Sequence, residues 1–250
     1  PIESVLEYLT MFRVDYCIVN RYTEYTPVLY NIPTVRAVYL VFHDIYTEHT
    51  VIVKNPKLKT MFISEWQKNI FTEKIEGIDR ISNVVSYGID TDVYANLHSK
   101  QELSFIYTSF PNRGLAILLD MFPGILKKYP TATLDIFVDI YNKWLWKYHR
   151  EDTEYCLKKL REYSHIDNIV NHGWVNRDTL DMFWRKAHIW FYPCKFHETC
   201  CLSAYEAAAS KTIAVSNNLA ALSESIGDRG LVIEGDVMTV DWRKQALSRL

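Results

Sequence analysis

The stretch HIWFYPCKFHETCCLSAYEAAASKTIAVS, residues 188–216, decides the fold. It opens with the apolar run HIWFYP, passes through a polar loop into the helix-forming run LSAYEAAAS, and closes with the β-branched run TIAVS. Short apolar runs that end in proline or polar residues are typical of buried strands, and a run rich in alanine between them is typical of a connecting helix. This stretch therefore predicts strand, helix and strand in succession, as in a parallel α/β sheet.

The same alternation extends outward on both sides of this stretch. From residue 103 onward, each of six short apolar runs is followed by a run that favours a helix; the six are LSFIYTS, ATLDIFVD, NIVNHG, HIWFYP, TIAVS and GLVIEG. One of the helical runs, residues 143–163, is long enough to predict a single extended helix. Strands that are apolar along nearly their whole length are typical of parallel sheets covered by helices on both faces. The C-terminal part is therefore predicted to be a Rossmann-like parallel sheet.

A shorter series of the same kind precedes it. Its strands are predicted at residues 14–20, 35–44, 59–64 and 81–88. A helix is predicted at residues 65–75, with Ser64 as its N-cap. The polar stretch 88–102 separates the two series. We therefore expect two α/β domains, residues 1–98 and 99–250, of which the first is abridged because a complete dinucleotide-type half contains more strands.

The composition excludes several classes of protein and of site. Hydrophobic residues make up 48% of the chain and charged residues 23%, and the formal net charge is −2, so no nucleic-acid partner is expected. The five cysteines form no CxxC pair, which predicts neither a zinc site nor a disulfide framework and favours a reducing, cytoplasmic location. No apolar run approaches the ~20 residues that span a bilayer, so no transmembrane segment is expected. Peripheral contact with a membrane and the oligomeric state remain open.

Candidate functional residues follow the predicted strands of the C-terminal series. Arg113 follows LSFIYTS, the residues Gly173, Trp174 and Val175 follow NIVNH, and Glu198 follows HIWFYP. In an open parallel sheet, ligands bind at the carboxyl ends of the strands. We therefore expect these three loops to gather at one edge of the sheet.

The loop after HIWFYP leads into a helix for which Thr199 is the predicted N-cap. The amides of the next three residues would then point into the crevice, as a helix N-terminus that favours anions. These residues are Cys200, Cys201 and Leu202. Arg113 would add a fixed positive charge, and the two features together predict a phosphate or diphosphate site. Glu206, about two turns into the helix, can accept hydrogen bonds from vicinal hydroxyls such as those of a ribose.

These segments resemble the C-terminal nucleotide-binding half of retaining GT-B glycosyltransferases, of the glycosyltransferase family 4 type. Glu198 and Glu206 match the E-x7-E motif of that family. TSFPNRGLAILL (residues 108–119) is similar to its phosphate loop and the helix that follows, and NHGWV (171–175) is similar to its base-contacting strand end.

The resemblance continues into the N-terminal part. FHDIY (residues 42–46) resembles the loop that carries an active-site histidine in the family. SEWQKNIF (64–71) and SYGIDTDVY (86–94) resemble the segments that precede the domain linker. The likeness covers about residues 35–236, and residues 103–236 are its specific part.

The resemblance implies a fold and an activity. The fold would consist of two Rossmann-like domains, an acceptor-side N-terminal domain and a C-terminal domain that binds the nucleotide sugar. The activity would be that of a retaining hexosyltransferase, which moves a sugar from a nucleotide-diphosphate sugar to a glycan or another hydroxyl acceptor. Neither a metal nor another cofactor would be needed.

The resemblance also implies a role for each candidate residue. Glu198 would hold the hydroxyls of the donor sugar, Glu206 would hold the ribose, and Arg113 would stabilise the diphosphate. His43 would lie across the cleft, near the reacting carbon. The residues implied beside the base are Gly173 and Val175, and those implied near the sugar and diphosphate are Asn217, Asn218 and Leu219.

Departures from the family pattern leave an alternative open. Where the family has an arginine a few residues before the second basic residue of its phosphate loop, this chain has Thr108 or Ser109. Residues 199–201 also replace a glycine-rich turn, and their side chains make close approach of a phosphate harder. A catalytically inactive module of the same fold, which binds a nucleotide sugar or a glycan, is therefore the second interpretation.

Two further interpretations are disfavoured. A dehydrogenase of Rossmann type is not supported, because the sequence contains no GxGxxG motif. The run Asp90-Thr91-Asp92 matches the D-x-D pattern of a metal site, but it follows a strand and a glycine in the expected linker, which favours a turn.

Overall fold

The two predicted series of strands form two parallel sheets in the computed structural model, which describes residues 2–45, 52, 54–95 and 99–250. The chain divides into two compact units, with the border between Tyr87 and Gly88. The α/β class predicted from the sequence is confirmed for both units.

The described part of the N-terminal unit contains four parallel strands, which lie side by side in the order in which they occur along the chain. They are β1 (Tyr16–Asn20), β2 (Ala37–Val41), β3 (Leu58–Phe62) and β4 (Ser82–Val84). The α-helices are α1 (Ile2–Met11), α2 (Thr26–Tyr30) and α3 (Glu65–Lys74). Strands β1, β2 and β4 lie inside their predicted ranges, and β3 begins one residue before its predicted range. Ser64 caps α3, as predicted, by accepting a hydrogen bond from the Gln67 N–H at 3.0 Å.

The described part of the C-terminal unit contains six parallel strands. They are β5 (Ser104–Tyr107), β6 (Thr133–Ile136), β7 (Ile169–Asn171), β8 (Ile189–Tyr192), β9 (Ile213–Asn217) and β10 (Gly230–Ile233). The α-helices are α4 (Leu115–Lys128), α5 (Lys143–Tyr148), α6 (Arg150–Glu162), α7 (Arg177–Lys186), α8 (Leu202–Ala209), α9 (Leu222–Ile226) and α10 (Val240–Arg249). Among the described residues, no helix is both long and apolar enough to cross a bilayer.

The strand order of the C-terminal sheet determines where a ligand can bind. The order is β7-β6-β5-β8-β9-β10, so it reverses between β5 and β8. Every residue of β5 and of β8 is buried, as expected for strands with helices on both faces. Open α/β sheets bind ligands outside the carboxyl ends of the strands at such a reversal. The loops that follow β5 and β8 are therefore the natural place for a site.

The border between the units falls before the predicted border at residues 98 and 99. Residues 92–94 form a 3-10 turn whose Tyr94 is 2% exposed and belongs to the core of the C-terminal unit. The Arg185 Nη1 donates to the Val93 oxygen at 2.7 Å. These contacts attach the segment to the second unit, while residues 96–98 lie outside the described part. The assignment of acceptor and donor sides to the two parts remains a prediction.

The helical run 143–163 differs from its prediction, because it is divided into α5 and α6 at His149. The His149 backbone has φ −138° and ψ 43°, outside the helical region. The Thr153 hydroxyl donates to the His149 oxygen at 2.7 Å and so satisfies a group at the break. With this break, Leu145 on α5 and Cys156 on α6 are both fully buried.

Candidate functional site

A glycine brings together the loops that follow β5 and β8. After β5, a single 3-10 turn (Pro111–Arg113) leads into Gly114, whose φ of +139° favours glycine. A Cβ at Gly114 would lie 2.1 Å from the backbone oxygen of Pro193, the residue after β8. The Lys195 N–H also donates to the Arg113 oxygen at 3.1 Å. The backbones of the two loops are therefore in direct contact.

Arg113 and Glu198, one from each loop, form an ion pair. The Arg113 Nη1 lies 2.6 Å from the Glu198 Oε1, and the two side chains are 29% and 7% exposed. The Tyr192 hydroxyl donates to the same Glu198 oxygen at 2.7 Å. Burial raises the pKa of Tyr192 well above its ordinary value, so this hydroxyl remains protonated and available as a donor. The Arg113 guanidinium also lies 4.2 Å above the centre of the Phe196 ring.

The start of α8 differs from the prediction. The predicted N-cap Thr199 is wrong, because the N-cap is Cys201, with φ −93° and ψ 98°. The Cys201 N–H donates to the Ser225 Oγ of α9 at 3.1 Å. The prediction that the Cys201 amide is open to a ligand is therefore wrong as well, since α9 already satisfies it.

The other two residues of the predicted anion site have different surroundings. Cys200 is 7% exposed, and its Sγ lies 3.4 Å from the Tyr205 hydroxyl. Leu202 is 44% exposed and is the first residue of α8. Among these three residues, Leu202 is thus the exposed one, at the first position of the helix.

Glu206 lies in the second turn of α8 and is held by Arg177, which sequence reasoning missed. The Arg177 Nη1 lies 2.5 Å from the Glu206 Oε1, and the Glu206 side chain is 9% exposed. Burial raises the pKa of the Glu206 carboxyl, while the hydrogen bond from Arg177 acts in the opposite direction. Arg177 is the first residue of α7, where the helix dipole disfavours a cation. An arginine at a predicted helix start, where a cation is unfavourable, is the sequence signal by which Arg177 could have been identified.

A pocket of about 330 Å³ opens where the loops after β5, β6 and β7 meet. Arg113, Gly173 and Val175 all line it, so the structure brings these three predicted residues together. Gly173 has a φ of +70°, and its N–H donates to the Asn171 Oδ1 at 3.2 Å. Trp174, also in the lining, is 79% exposed. Arg113 lines the pocket and forms the ion pair with Glu198, so Glu198 is joined to the pocket lining by that ion pair.

The three predicted residues after β9 differ in exposure and in contacts: Asn217 is buried, Asn218 is exposed and Leu219 is partly buried. The Asn217 side chain is 2% exposed; its Oδ1 accepts from the Cys194 N–H at 2.9 Å and its Nδ2 donates to the Cys194 oxygen at 2.9 Å. The Asn218 Oδ1 accepts from the Gly235 N–H at 3.3 Å. Leu219 packs, partly buried, against the core of the unit. Asn217 thus fixes the loop after β8, in which Glu198 lies.

His43 belongs to the N-terminal unit and follows β2 by two residues. Its Nδ1 is hydrogen-bonded to the Tyr87 hydroxyl, and its Nε2 lies 3.1 Å from the Asn20 Oδ1 at the end of β1. Burial lowers the pKa of His43, Arg21 lowers it further, and Asp44 opposes the shift. The imidazole is therefore held in its neutral form at the carboxyl edge of the N-terminal sheet. Its place beside the reacting carbon remains a prediction.

Among the described residues, no group of three or more His, Cys, Asp or Glu side chains is arranged to hold a metal ion. Asp90 and Asp92 form the predicted turn, in which the Asp92 N–H donates to the Asp90 Oδ1 at 3.0 Å.

Comparison with known proteins bears on this geometry. The family model described as "Glycosyl transferases group 1" matches residues 102–247. No curated protein sequence matches the chain. Among solved structures, a glycosyltransferase from Rickettsia africae ESF-5 is similar with a TM-score of 0.72 and 15% identity, over 99% of this chain and 73% of that one.

Two further solved structures are similar and carry ligands. Anabaena HepE, in complex with UDP-glucose, has a TM-score of 0.70 and 12% identity, over 99% of this chain and 71% of that one. A TarM variant from S. aureus, in complex with fondaparinux, alpha-GlcNAc-glycerol and UDP, has a TM-score of 0.66 and 16% identity. That match covers 97% of this chain, which spans only 50% of the TarM chain. At these identities the likeness is one of fold.

Proposed function

Because the chain belongs to the glycosyl transferases group 1 family, we propose that it transfers a sugar from a nucleotide-diphosphate sugar to a hydroxyl of a glycan or another acceptor. The observation that carries the proposal is the pairing of Arg113 with Glu198 at the reversal point of the C-terminal sheet. A cation and an acid, held 2.6 Å apart where α/β sheets bind ligands, suit a donor that has both phosphates and sugar hydroxyls.

In this proposal the nucleotide lies in the pocket after β5, β6 and β7. Arg113 lines it and is partly exposed, so its planar fork can reach phosphate oxygens from the side away from Glu198. The base would lie against the backbone of Gly173 and Val175, where a left-handed glycine leaves the space for a Cβ empty. Glu206, held by Arg177, would accept from the ribose hydroxyls.

Glu198 would hold the hydroxyls of the donor sugar. Its carboxylate is fixed by Arg113 and by Tyr192 through a single oxygen, which leaves further acceptor capacity on the same group. Arg113 and the start of α8 would stabilise the negative charge that develops on the departing diphosphate. We propose transfer with retention of configuration and without a divalent cation, which predicts an unchanged rate in the presence of a chelator such as EDTA.

One observation favours the second candidate, a nucleotide-sugar-binding module without turnover. Thr108, one of the two residues that stand where the family carries a further basic residue, has its hydroxyl 3.1 Å from the Ser203 Oγ of α8. The charge of Arg113 is already paired within the protein. Less positive charge then remains for a leaving diphosphate, and binding without transfer would result.

A screen of donors separates these possibilities. Thermal unfolding is measured with UDP-, GDP- and ADP-sugars, because a ligand that binds the folded state raises the melting temperature by mass action. We expect one class to raise it, and we then measure release of the free nucleoside diphosphate from that donor. Release is measured with water as the acceptor of the sugar and with added glycan acceptors. Release in either case identifies a transferase, whereas binding without release in both identifies the binding module. The absence of a shift with every donor would contradict both.

Glu206→Ala is expected to weaken the binding of UDP by about 1–3 kcal/mol, because the ribose hydroxyls lose a charged acceptor. UDP is the probe because HepE and the TarM variant were solved with UDP-glucose and UDP. Isothermal titration calorimetry measures the affinity. Glu234→Gln, at an exposed position just after β10, is the matched control and should bind as the unaltered protein does. An unchanged affinity in Glu206→Ala would remove the ribose role.

A further inference from the structure

Arg177 is the centre of a four-residue polar network in the C-terminal unit. Its Nη1 lies 2.5 Å from the Glu206 Oε1, and its Nη2 lies 2.7 Å from the Asp181 Oδ1. The same Nη2 donates to the Tyr94 hydroxyl at 2.6 Å. The Tyr94 hydroxyl in turn donates to the Asp181 Oδ1 at 3.1 Å. Three different elements, α7, α8 and the turn at residues 92–94, thus converge on one guanidinium.

Because the two acidic partners of Arg177 are buried, removal of Arg177 would lower the stability of the protein. The side chains of Asp181 and Glu206 are only 5% and 9% exposed, so two buried carboxylates share one cation. A buried carboxylate without its partner is strongly unfavourable. Burial also raises the pKa of Tyr94, which keeps its hydroxyl protonated and able to donate to Asp181. The orientation of the guanidinium is therefore fixed from several sides.

Arg177 itself is not buried, and this distinguishes the network from an internal structural salt link. Its side chain is 53% exposed, so the ion pair with Glu206 opens toward solvent. Arg177 also begins α7 only two residues after Val175, which belongs to the loop that lines the pocket proposed for the base. In a nucleotide the ribose is bonded directly to the base. Along the chain, the arginine of the ion pair is therefore near the loop against which the base would lie.

Arg177 contacts one of the two oxygens of the Glu206 carboxylate. In the described contacts, the hydrogen bond from Arg177 goes to Oε1, and a carboxylate accepts with both oxygens. A glutamate side chain has several rotamers, and fixing it costs conformational entropy unless a partner holds it beforehand. A carboxylate that is oriented in advance does not pay this entropy when the ligand binds.

We propose that Arg177 is a positioning residue for ribose recognition: it fixes one oxygen of Glu206 so that the other faces the vicinal hydroxyls of the nucleotide. This inference rests on the proposed function. It adds a requirement that the nucleotide be a ribonucleotide, and it assigns that selectivity to an arginine on α7 that acts through Glu206. Tyr94 and Asp181 serve by holding the guanidinium in place.

Titration calorimetry with UDP and with 2′,3′-dideoxy-UDP tests this proposal. The unaltered protein should bind UDP at least about 10-fold more tightly than the dideoxy compound, since the latter lacks the hydroxyls that Glu206 would bind. Arg177→Gln should reduce this ratio to about 2-fold, and Arg177→Lys should restore part of it, because lysine keeps the charge but not the fork. A merely structural role would lower both affinities together and leave the ratio unchanged.

Two further variants control for misfolding and for effects on binding that do not act through Glu206. Tyr94→Phe keeps both ion pairs, so the protein should fold, and its ratio should lie between those of the unaltered protein and Arg177→Gln. Lys186→Gln is the matched control: Lys186 is an exposed cation at the other end of the same helix. Its ratio should equal that of the unaltered protein.

The outcomes separate this proposal from the proposed function. Binding of UDP by the unaltered protein, with an unchanged ratio in Arg177→Gln, overturns the role of Arg177 alone. If Arg177→Gln does not fold, an unchanged ratio in both Arg177→Lys and Tyr94→Phe overturns it equally. Equal affinity of the unaltered protein for the two compounds overturns ribose recognition by Glu206 and this proposal with it. A failure to bind any of UDP, GDP and ADP overturns the proposed function itself.

Discussion

Arg113→Gln is expected to weaken the binding of UDP by about 100-fold while it leaves the binding of uridine unchanged. UDP and uridine differ only in the diphosphate, which a guanidinium contacts with charge-assisted hydrogen bonds worth about 1.5–3 kcal/mol each. A 100-fold loss corresponds to about 2.7 kcal/mol, within the range of one or two such bonds. Arg113 is partly exposed and lines the pocket after β5, β6 and β7, so it can reach the phosphates. Isothermal titration calorimetry with both compounds measures the difference.

The same substitution leaves the buried Glu198 without its cation, and a second variant separates this effect from the loss of binding. Arg113→Gln combined with Glu198→Gln should recover stability, because the uncompensated carboxylate is gone, but it should not recover UDP affinity. Lys195→Gln is the matched control, since Lys195 is a cation of the adjoining loop after β8 that pairs instead with Asp152. An equal loss for UDP and uridine would refute a phosphate contact.

Gly114→Ala should lower the free energy of unfolding of the C-terminal unit by about 3 kcal/mol or more, because backbone strain and overpacking each contribute about 1–3 kcal/mol. The strain arises from the φ of +139°, which a residue with a Cβ rarely adopts. The overpacking arises because the new Cβ would lie 2.1 Å from the Pro193 oxygen, which belongs to backbone and cannot move aside like a flexible side chain. Urea unfolding followed by tryptophan fluorescence, to which the buried Trp184, Trp190 and Trp242 of this unit contribute, measures the change.

Gly124→Ala is the matched control for this prediction and should have the opposite sign. Gly124 lies inside α4, where an added Cβ would meet only the Leu247 Cδ1 at 3.5 Å, an ordinary contact distance. Alanine in a helix interior is favoured over glycine by about 0.5–1 kcal/mol, so this variant should be more stable than the unaltered protein. Equal stability of the two variants would show that the contact between the loops after β5 and β8 does not constrain residue 114.

Strands β5 and β8 could be predicted from the sequence because they are buried along their whole length. The run Ile189–Tyr192 is buried at every position, and such runs stand out against polar surroundings. The helix α1 was not predicted, although its apolar residues Val5, Leu6 and Leu9 recur at helical spacing. The break at His149 was missed because the residues on both sides of it favour a helix, and only tertiary packing divides them.

The parts of the site that depend on local sequence patterns could be predicted, and the contacts between distant residues could not. Arg113 and Glu198 were placed together because both follow strands that meet at one edge of a parallel sheet. Their direct ion pair joins residues 85 positions apart and depends on the close approach at Gly114, which no local pattern shows. The use of the Cys201 amide by Ser225 is also a tertiary contact, and it removes one donor that local capping rules count as free.

Asn217 has a consequence for which substitutions the chain can accept. Its amide exchanges two hydrogen bonds with the backbone of Cys194, so the side chain behaves as a peptide group inserted between the ends of β9 and β8. An aspartate could accept but not donate, a leucine could do neither, and a glutamine would reach one methylene too far. Position 217 therefore imitates a peptide bond with a side chain, and asparagine alone has the shape and polarity to do so.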